Sequence, residues 1–172
     1  MEDVTTYLTN LVRDHRDWAV VIIGLSAFME SLFIVGLVFP ATPIFLAIGG
    51  LLATDALDPV PLVASAVGGA ILGDMVSYAI GRKYGRQIIH RPFAKSHRRN
   101  IAKSRVFFRK YGVLSVFIGR FFGPLRSTVP FVAGMTQMKQ GRFQLANCAS
   151  AVVWAPVMLL PGWVTVTGYQ AI

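Results

Sequence analysis

Long apolar runs separated by short polar segments dominate the 172-residue chain. The run 18–39 would be about 33 Å long as a helix, which is enough to cross a bilayer. The run 60–80 predicts a second spanning helix, and 143–167 predicts a third that Pro156 and Pro161 bend. The pattern therefore predicts an all-α protein built on membrane-spanning helices.

Two further apolar segments, 32–50 and 113–134, are interrupted, and each arm is too short to span a bilayer. The predicted breaks are Pro40 and Pro43 in the first segment and Gly123, Pro124 and Pro130 in the second. Because such arms are tolerated where protein or water covers them, we predict two re-entrant hairpins. Matched broken segments in two halves favour an inverted repeat whose hairpins enter from opposite membrane faces.

Polar character is concentrated in two segments. Residues 1–17 mix charges with a few apolar positions, which predicts a short amphipathic helix on the membrane surface. Residues 86–110 form a basic linker with apolar residues spaced among the cations. That mixture suits a helix lying in the membrane interface, and a solvated connecting loop is the alternative.

Composition supports a single-domain integral membrane protein, because 54% of residues are hydrophobic and only 15% are charged, against about 25% in soluble domains. The net charge is +9, and eleven of the 17 Lys and Arg residues lie in 82–110. A nucleic-acid binder would carry its basic patch on a hydrophilic surface, so we expect no nucleic-acid partner. The positive-inside rule instead predicts a multi-pass protein with 82–110 in the cytoplasm.

Arg120 and Arg126 are the only charges in the apolar stretch 111–135. A cation at membrane depth costs roughly 2.5–3.5 kcal/mol on insertion scales and usually marks a substrate or ion path. Guanidinium groups bind phosphate oxygens bidentately, so a lipid phosphate is the first candidate ligand. The alternative is a closed structural network in which both arginines pair with Glu30 and Asp74.

Glu30 and Asp74 are carboxyl groups at membrane depth, where an unpaired ionised acid is costly. They predict either proton-carrying groups beside the path or structural partners of the arginines. Tyr78 and Arg82 follow Asp74 at four-residue spacing on the same helix face, and we assign both to substrate binding.

A stripe of small residues, spaced four apart, runs beside these polar positions and would let another helix approach closely. Its members are Gly69, Gly73, Ser77 and Gly81. The stripe permits either self-association into a homo-oligomer or packing within the chain.

Other chemistry finds no support in the sequence. The three histidines lie in polar segments, and no Cys/His cluster has zinc spacing. Phosphate-binding and dinucleotide-binding glycine patterns are absent, and no Ser-His-Asp set falls in the apolar segments. We therefore expect no metal, no cofactor and no catalytic residues.

Two motifs resemble signatures of the DedA family, part of the SNARE-associated or VTT-domain superfamily. The stretch 119–126 (GRFFGPLR), followed by Pro130, resembles one signature, and 73–85 resembles the other. Glu30 followed by the proline-rich 39–50 is similar to the family's first re-entrant region. The resemblance covers roughly residues 18–168.

The resemblance implies a polytopic bacterial inner-membrane protein with two opposed re-entrant hairpins. It implies transport of undecaprenyl phosphate or phospholipids, in some members coupled to the proton motive force. By position, the functional acids would be Glu30 and Asp74, and the functional arginines Arg120 and Arg126.

The chain departs from the family pattern in two places. Many members carry a Pro-Gly-acid triplet in the first hairpin, where this chain has Ala41-Thr42-Pro43. The missing acid puts proton coupling in doubt. The family also usually has a further C-terminal helix, so the end at Ile172 fits a truncated chain or the membrane part of a larger protein.

The first functional hypothesis is a flippase or scramblase for a phosphate-bearing lipid, with membrane lipids and protons as partners. The alternatives are a structural or assembly membrane protein and the membrane part of a lipid-phosphate phosphatase. An enzyme would need a nucleophile or base beside the arginines. Ser127 and Thr128 are close, but no histidine follows them, so we do not expect an enzyme.

Overall fold

The computed structural model of the chain describes residues 16–37, 42–53, 57–90 and 92–170, and every regular element in these ranges is helical. The elements are α1 (Arg16–Ser31), a 3-10 helix (Val35–Leu37), α2 (Thr42–Leu52), α3 (Pro59–His90), α4 (Pro92–Tyr111), α5 (Leu114–Gly119), α6 (Gly123–Arg126), α7 (Thr128–Met135) and α8 (Gln140–Gln170). Most of the predicted surface segment 1–17 and the predicted break Pro40 lie outside the described residues.

The first apolar run is not one spanning helix, which corrects the prediction for 18–39. Helix α1 ends at Ser31 after 16 residues, and the next residues turn. The hydroxyl of Ser77 on α3 accepts a hydrogen bond from the Phe33 N–H (2.9 Å) and donates one to the Ser31 carbonyl (3.0 Å). Because this distant side chain satisfies backbone groups at the turn, the helix can end inside the protein.

Helix α3 packs against α1, α7 and α8, whereas α2 and α5 pack against α8, and small residues of α3 allow the close approach. A Cβ at Gly69 would overlap the Gly24 carbonyl oxygen of α1, and one at Gly81 would overlap the Phe131 carbonyl oxygen of α7. The approach is reciprocal, since a Cβ at Gly134 of α7 would overlap the Tyr78 carbonyl oxygen. The small-residue stripe therefore serves packing within the chain.

Helices α3 and α8 are the two long apolar elements. The segments Pro59–Gly85 and Gln140–Gly168 are long and apolar enough to cross a bilayer by length and composition. Large apolar side chains remain exposed along α1, α3 and α8, among them Leu25, Leu72, Leu145 and Val152. An apolar surface of this extent suits contact with lipid.

The basic linker is helical throughout its described part. Helix α3 continues past the predicted end at Ile80 as far as His90, and α4 follows after one residue. Helix α4 exposes cations while Ile101 and Ser104 are buried. The helix predicted for the basic linker is thus present, and its position relative to a membrane stays a prediction.

The second interrupted segment is broken as its sequence indicates, but the break precedes the Gly-Pro pair. Helix α5 ends at Gly119, Arg120 to Phe122 turn, and Gly123 opens α6 with Pro124 as its second residue. Pro130 is the third residue of α7, so it lies in a first helical turn rather than at a break. Pro43 likewise lies in the first turn of α2. A first turn accommodates proline because its N–H groups have no partner within the helix.

Candidate functional site

The two unusual arginines lie at helix ends created by the break. Arg120 directly follows α5, and Arg126 is the last residue of α6. Their exposed fractions are only 4% and 7%. Burial of a guanidinium group requires a counter-charge and hydrogen-bond acceptors, and two acids from other helices provide them.

Arg120 pairs with Asp74 in the middle of α3. The Nη2 atom of Arg120 contacts Oδ2 of Asp74 and also donates to Oδ1 of Asn147 (3.0 Å). Nη1 donates to the Asn147 backbone carbonyl (3.4 Å). Both charged side chains are almost wholly buried, and an acid and an amide from two long helices therefore hold Arg120 in place.

Arg126 pairs with Glu30, the penultimate residue of α1, at 2.7 Å between Nη1 and Oε1. Other polar atoms of this pair are not satisfied. The Nε and Nη2 atoms of Arg126 and the Oε2 atom of Glu30 have no hydrogen-bond partner among the described residues. The same holds for Oδ1 of Asp74 and the Ser127 hydroxyl. Buried donors without acceptors are costly, so Arg126 retains two N–H donors that a further acceptor could satisfy.

Trp154 on α8 lies against both arginines. The guanidinium carbon of Arg126 is 3.8 Å from the centroid of its ring, and that of Arg120 is 5.9 Å away. Trp154 is fully buried, where cation–π attraction is strongest. Its ring also packs edge-on against Phe45 of α2, at 5.1 Å between centroids. Through Trp154, both interrupted segments contact one aromatic side chain.

The structure brings four of the six predicted polar residues together and leaves two apart. Glu30, Asp74, Arg120 and Arg126 form the buried charged cluster. Tyr78 and Arg82 follow Asp74 along α3 towards the basic end of the helix, and Arg82 is exposed. The Nη1 atom of Arg82 donates to the Tyr78 hydroxyl (3.0 Å), which donates to the Met138 carbonyl (2.5 Å).

The sequence analysis missed Asn147 and Trp154. Both lie in an apolar helix, where an amide and an indole are unusual unless each has a polar or aromatic partner. Asn147 carries the clearer signal, because a buried amide must make hydrogen bonds. Neither residue could be paired with a particular arginine from sequence spacing alone.

Comparison with known proteins gives the family. The VTT domain model matches residues 39–164, which is well over half of the chain. Protein DedA of Escherichia coli (strain K12) is 30% identical over 163 residues, covering 93% of this chain and 74% of that protein. Inner membrane protein YabI of the same strain is 27% identical over 155 residues, covering 90% of this chain and 61% of YabI.

An uncharacterized membrane protein of Buchnera aphidicola (subsp. Acyrthosiphon pisum) is 29% identical over 160 residues, or 93% of this chain. The chain spans 62% of that protein's length, as it spans 61% of YabI. No solved structure matches the chain. The matched domain and the relatives that cover nearly the whole chain identify it as a VTT-domain membrane protein of the DedA family.

Proposed function

We propose that the protein moves a phosphate-bearing lipid, such as undecaprenyl phosphate or a phospholipid, across the bacterial inner membrane as a flippase or scramblase. The observation that most directly supports this proposal is the incomplete hydrogen bonding of the buried Arg126 side chain. Its guanidinium is buried, bonded to Glu30 through one nitrogen, and has two nitrogens without partners in the described part of the chain. Tyr78 and Arg82 would contact the same headgroup nearer the membrane surface.

The chemistry of the unpaired atoms favours a phosphate. The Nε and Nη2 atoms of Arg126 form one edge of a planar fork, and two phosphate oxygens match that edge. A carboxylate already occupies the remaining nitrogen, so a headgroup could bind before Glu30 leaves. The lipid tails would stay in the bilayer, and the protein would need to shelter only the charged headgroup.

In the proposed transport, protons would act by binding to the two acids, Glu30 and Asp74. Protonation of Glu30 or Asp74 removes the negative charge that holds its arginine and frees that arginine for phosphate. Deprotonation restores the ion pair and expels the headgroup. Residues 41–43 contain no acid, so proton coupling in this protein would use Glu30 and Asp74 without the acid that many family members carry in the first hairpin.

The membrane arrangement proposed here has two re-entrant hairpins related as an inverted repeat. Helices α2 and α7 support it, because their 11 and 8 residues are fewer than the about 20 that a spanning helix needs. Helix α4 would lie on the cytoplasmic side. The relative named as an inner membrane protein supports the same location for this chain.

A structural role is the second candidate, and the pairing of each arginine with its own acid favours it. In that case the ion pairs only lock helices together. Lysine at position 126 distinguishes the two roles, because it keeps the charge for Glu30 but cannot present a guanidinium fork to phosphate.

The test is the movement of a fluorescent phospholipid and of undecaprenyl phosphate in proteoliposomes. Arg120→Ala, Arg126→Ala and Arg126→Lys should each lower the rate at least tenfold, whereas the exposed Arg142→Ala should match the wild type. Wild-type rates in both alanine variants would remove the proposal. Lipid movement by Arg126→Lys at the wild-type rate would favour the structural role, and release of inorganic phosphate would indicate an enzyme.

A further inference from the structure

A polar cleft opens at the basic end of the contact between α3 and α8. Its volume is about 450 Å³, within the usual range of small-ligand sites. The polar residues lining it are Tyr78, Arg82 and Lys83 of α3 and Gln140 and Gln144 of α8. Two cations, one hydroxyl and two amides thus line the cleft, together with the apolar Met75 and Ala79.

Among the described residues, no acid neutralises the positive charge of the cleft. The sequence contains no Asp or Glu after Asp74, and within the described residues neither Arg82 nor Lys83 forms an ion pair. The hydrogen bonds from Arg82 to Tyr78 and from Tyr78 to the Met138 carbonyl fix the tyrosine hydroxyl and orient the guanidinium. Oriented cations without counter-charges attract an anion rather than a neutral ligand.

A line of amides connects this cleft with the buried charged cluster. Gln144 lines the cleft, and its Oε1 accepts a hydrogen bond from Nδ2 of Asn147 (3.4 Å). Asn147 in turn accepts from Arg120 (3.0 Å). On the facing helix, Tyr78 lies one turn from Asp74, so polar groups continue along both sides of the contact between α3 and α8.

From this arrangement we infer that the cleft is the first docking site for the phosphate of the transported headgroup, and that Gln144 and Asn147 form the polar passage from it to Arg120. The inference rests on the proposed function and adds to it the place at which the headgroup enters the protein. A phosphate bound at Arg82 and Lys83 would meet the Gln144 amide before it reached a guanidinium group that already has a carboxylate partner. Free inorganic phosphate has the same chemistry as a phosphate headgroup, so the test must distinguish binding of the lipid from binding of the free ion.

The first experiment measures binding to the full chain in detergent, with dihexanoyl phosphatidic acid and inorganic phosphate as separate probes. The double variant Arg82→Gln/Lys83→Gln should raise the Kd for the short lipid about tenfold or more, because it loses two charge-assisted contacts. Arg109→Gln on α4, which is also exposed, should leave the Kd unchanged. Equal Kd values for the double variant and the wild type would overturn the inference. Binding of inorganic phosphate without the lipid would also overturn it, by assigning the cleft to the free ion.

The second experiment separates the cleft from the buried arginines. In Arg126→Ala protein the short lipid should still bind in the cleft although lipid movement is lost, and loss of binding in that variant would overturn the assignment to the cleft. Gln144→Leu removes a neutral contact of the cleft but no charge, so it should raise the Kd far less than the double variant does while lipid movement becomes several-fold slower. Lipid movement by Gln144→Leu at the wild-type rate would refute the passage but would not contradict the transport proposal. If the wild-type protein moves no lipid yet the double variant loses binding, the docking site stands and the transport proposal fails.

Discussion

Arg126 rests on the face of Trp154, with its guanidinium carbon 3.8 Å from the centroid of the ring. The same ring is 5.9 Å from the guanidinium carbon of Arg120. Each buried cation thus pairs with its own acid, and both contact one aromatic side chain. The indole attracts both guanidinium groups without supplying a charge of its own, so it still contacts them when an acid is protonated or displaced.

This relationship predicts distinct effects of two substitutions at position 154. Trp154→Ala should lower the free energy of unfolding by about 3–5 kcal/mol, since it empties a packed site and removes the cation–π contacts. Trp154→Phe should retain most of the stability. It should move lipid more slowly than the wild type because phenylalanine holds a cation less strongly. Thermal unfolding and the proteoliposome assay measure the two effects, and an alanine variant as stable as the wild type would contradict the assigned contacts.

The pair between Arg120 and Asp74 predicts a strongly non-additive double mutant. Asp74→Asn or Arg120→Gln alone leaves one buried charge without its partner and should destabilise by about 3–5 kcal/mol. The double variant removes both charges and should cost much less than the sum of the two single changes. Denaturant unfolding in a mild detergent measures the free energy of unfolding of the wild type and the three variants. Additive losses would show that the two side chains do not interact.

Adjacent glycines on α3 provide a matched pair for the helix contact. Gly69→Ala should lower the free energy of unfolding by about 1–3 kcal/mol, because the added methyl group overlaps the Gly24 carbonyl of α1. Gly68→Ala places the same group where no atom lies within 4 Å and should be neutral or slightly stabilising. The two variants can be compared by thermal unfolding. Equal stability would argue against the close approach of α1 and α3.

The end of α1 depends on one hydroxyl group. Ser77→Ala should cost about 1–3 kcal/mol, since it leaves the buried Phe33 N–H without an acceptor. Thr167→Val also removes a hydroxyl that donates to a backbone carbonyl, but at an exposed site, and should change stability very little. Hydrogen exchange at the Phe33 amide should accelerate only in the serine variant. An unchanged exchange rate there would exclude the bridging role.

The orientation of the chain can be tested with its single cysteine removed. In a Cys148→Ser background, Lys110→Cys should react with a membrane-impermeant maleimide only after the inner membrane of spheroplasts is opened. The reason is that the positive-inside rule assigns the basic helix α4 to the cytoplasm. Labelling in intact spheroplasts would reverse the proposed topology.

Sequence reasoning went furthest where the chemistry is unusual for its surroundings. Arg120, Arg126, Glu30 and Asp74 stand out because each is an isolated charge in an apolar run, and opposite charges at membrane depth must pair. The break between the arginines was also visible, since Gly123 and Pro124 directly follow it. These are local features that need no knowledge of the fold.

What the sequence could not reveal depends on contacts between distant segments. Residues 32–34 are apolar, and nothing in them predicts that α1 ends at Ser31 instead of continuing. The end is set by Ser77, which becomes a neighbour only after α1 packs on α3. Trp154 was assigned to an ordinary spanning helix for the same reason, because its contacts with the arginines cross from α8 to α6.

The two ion pairs join different helices. Glu30 and Arg126 connect the ends of α1 and α6, whereas Arg120 follows α5 and reaches Asp74 inside the 32-residue α3. A shift of α6 can therefore open one pair while the other stays closed. In the proposed transport, exchange of acid for headgroup would then proceed stepwise, one arginine after the other, and the two cations would never both lack a counter-charge.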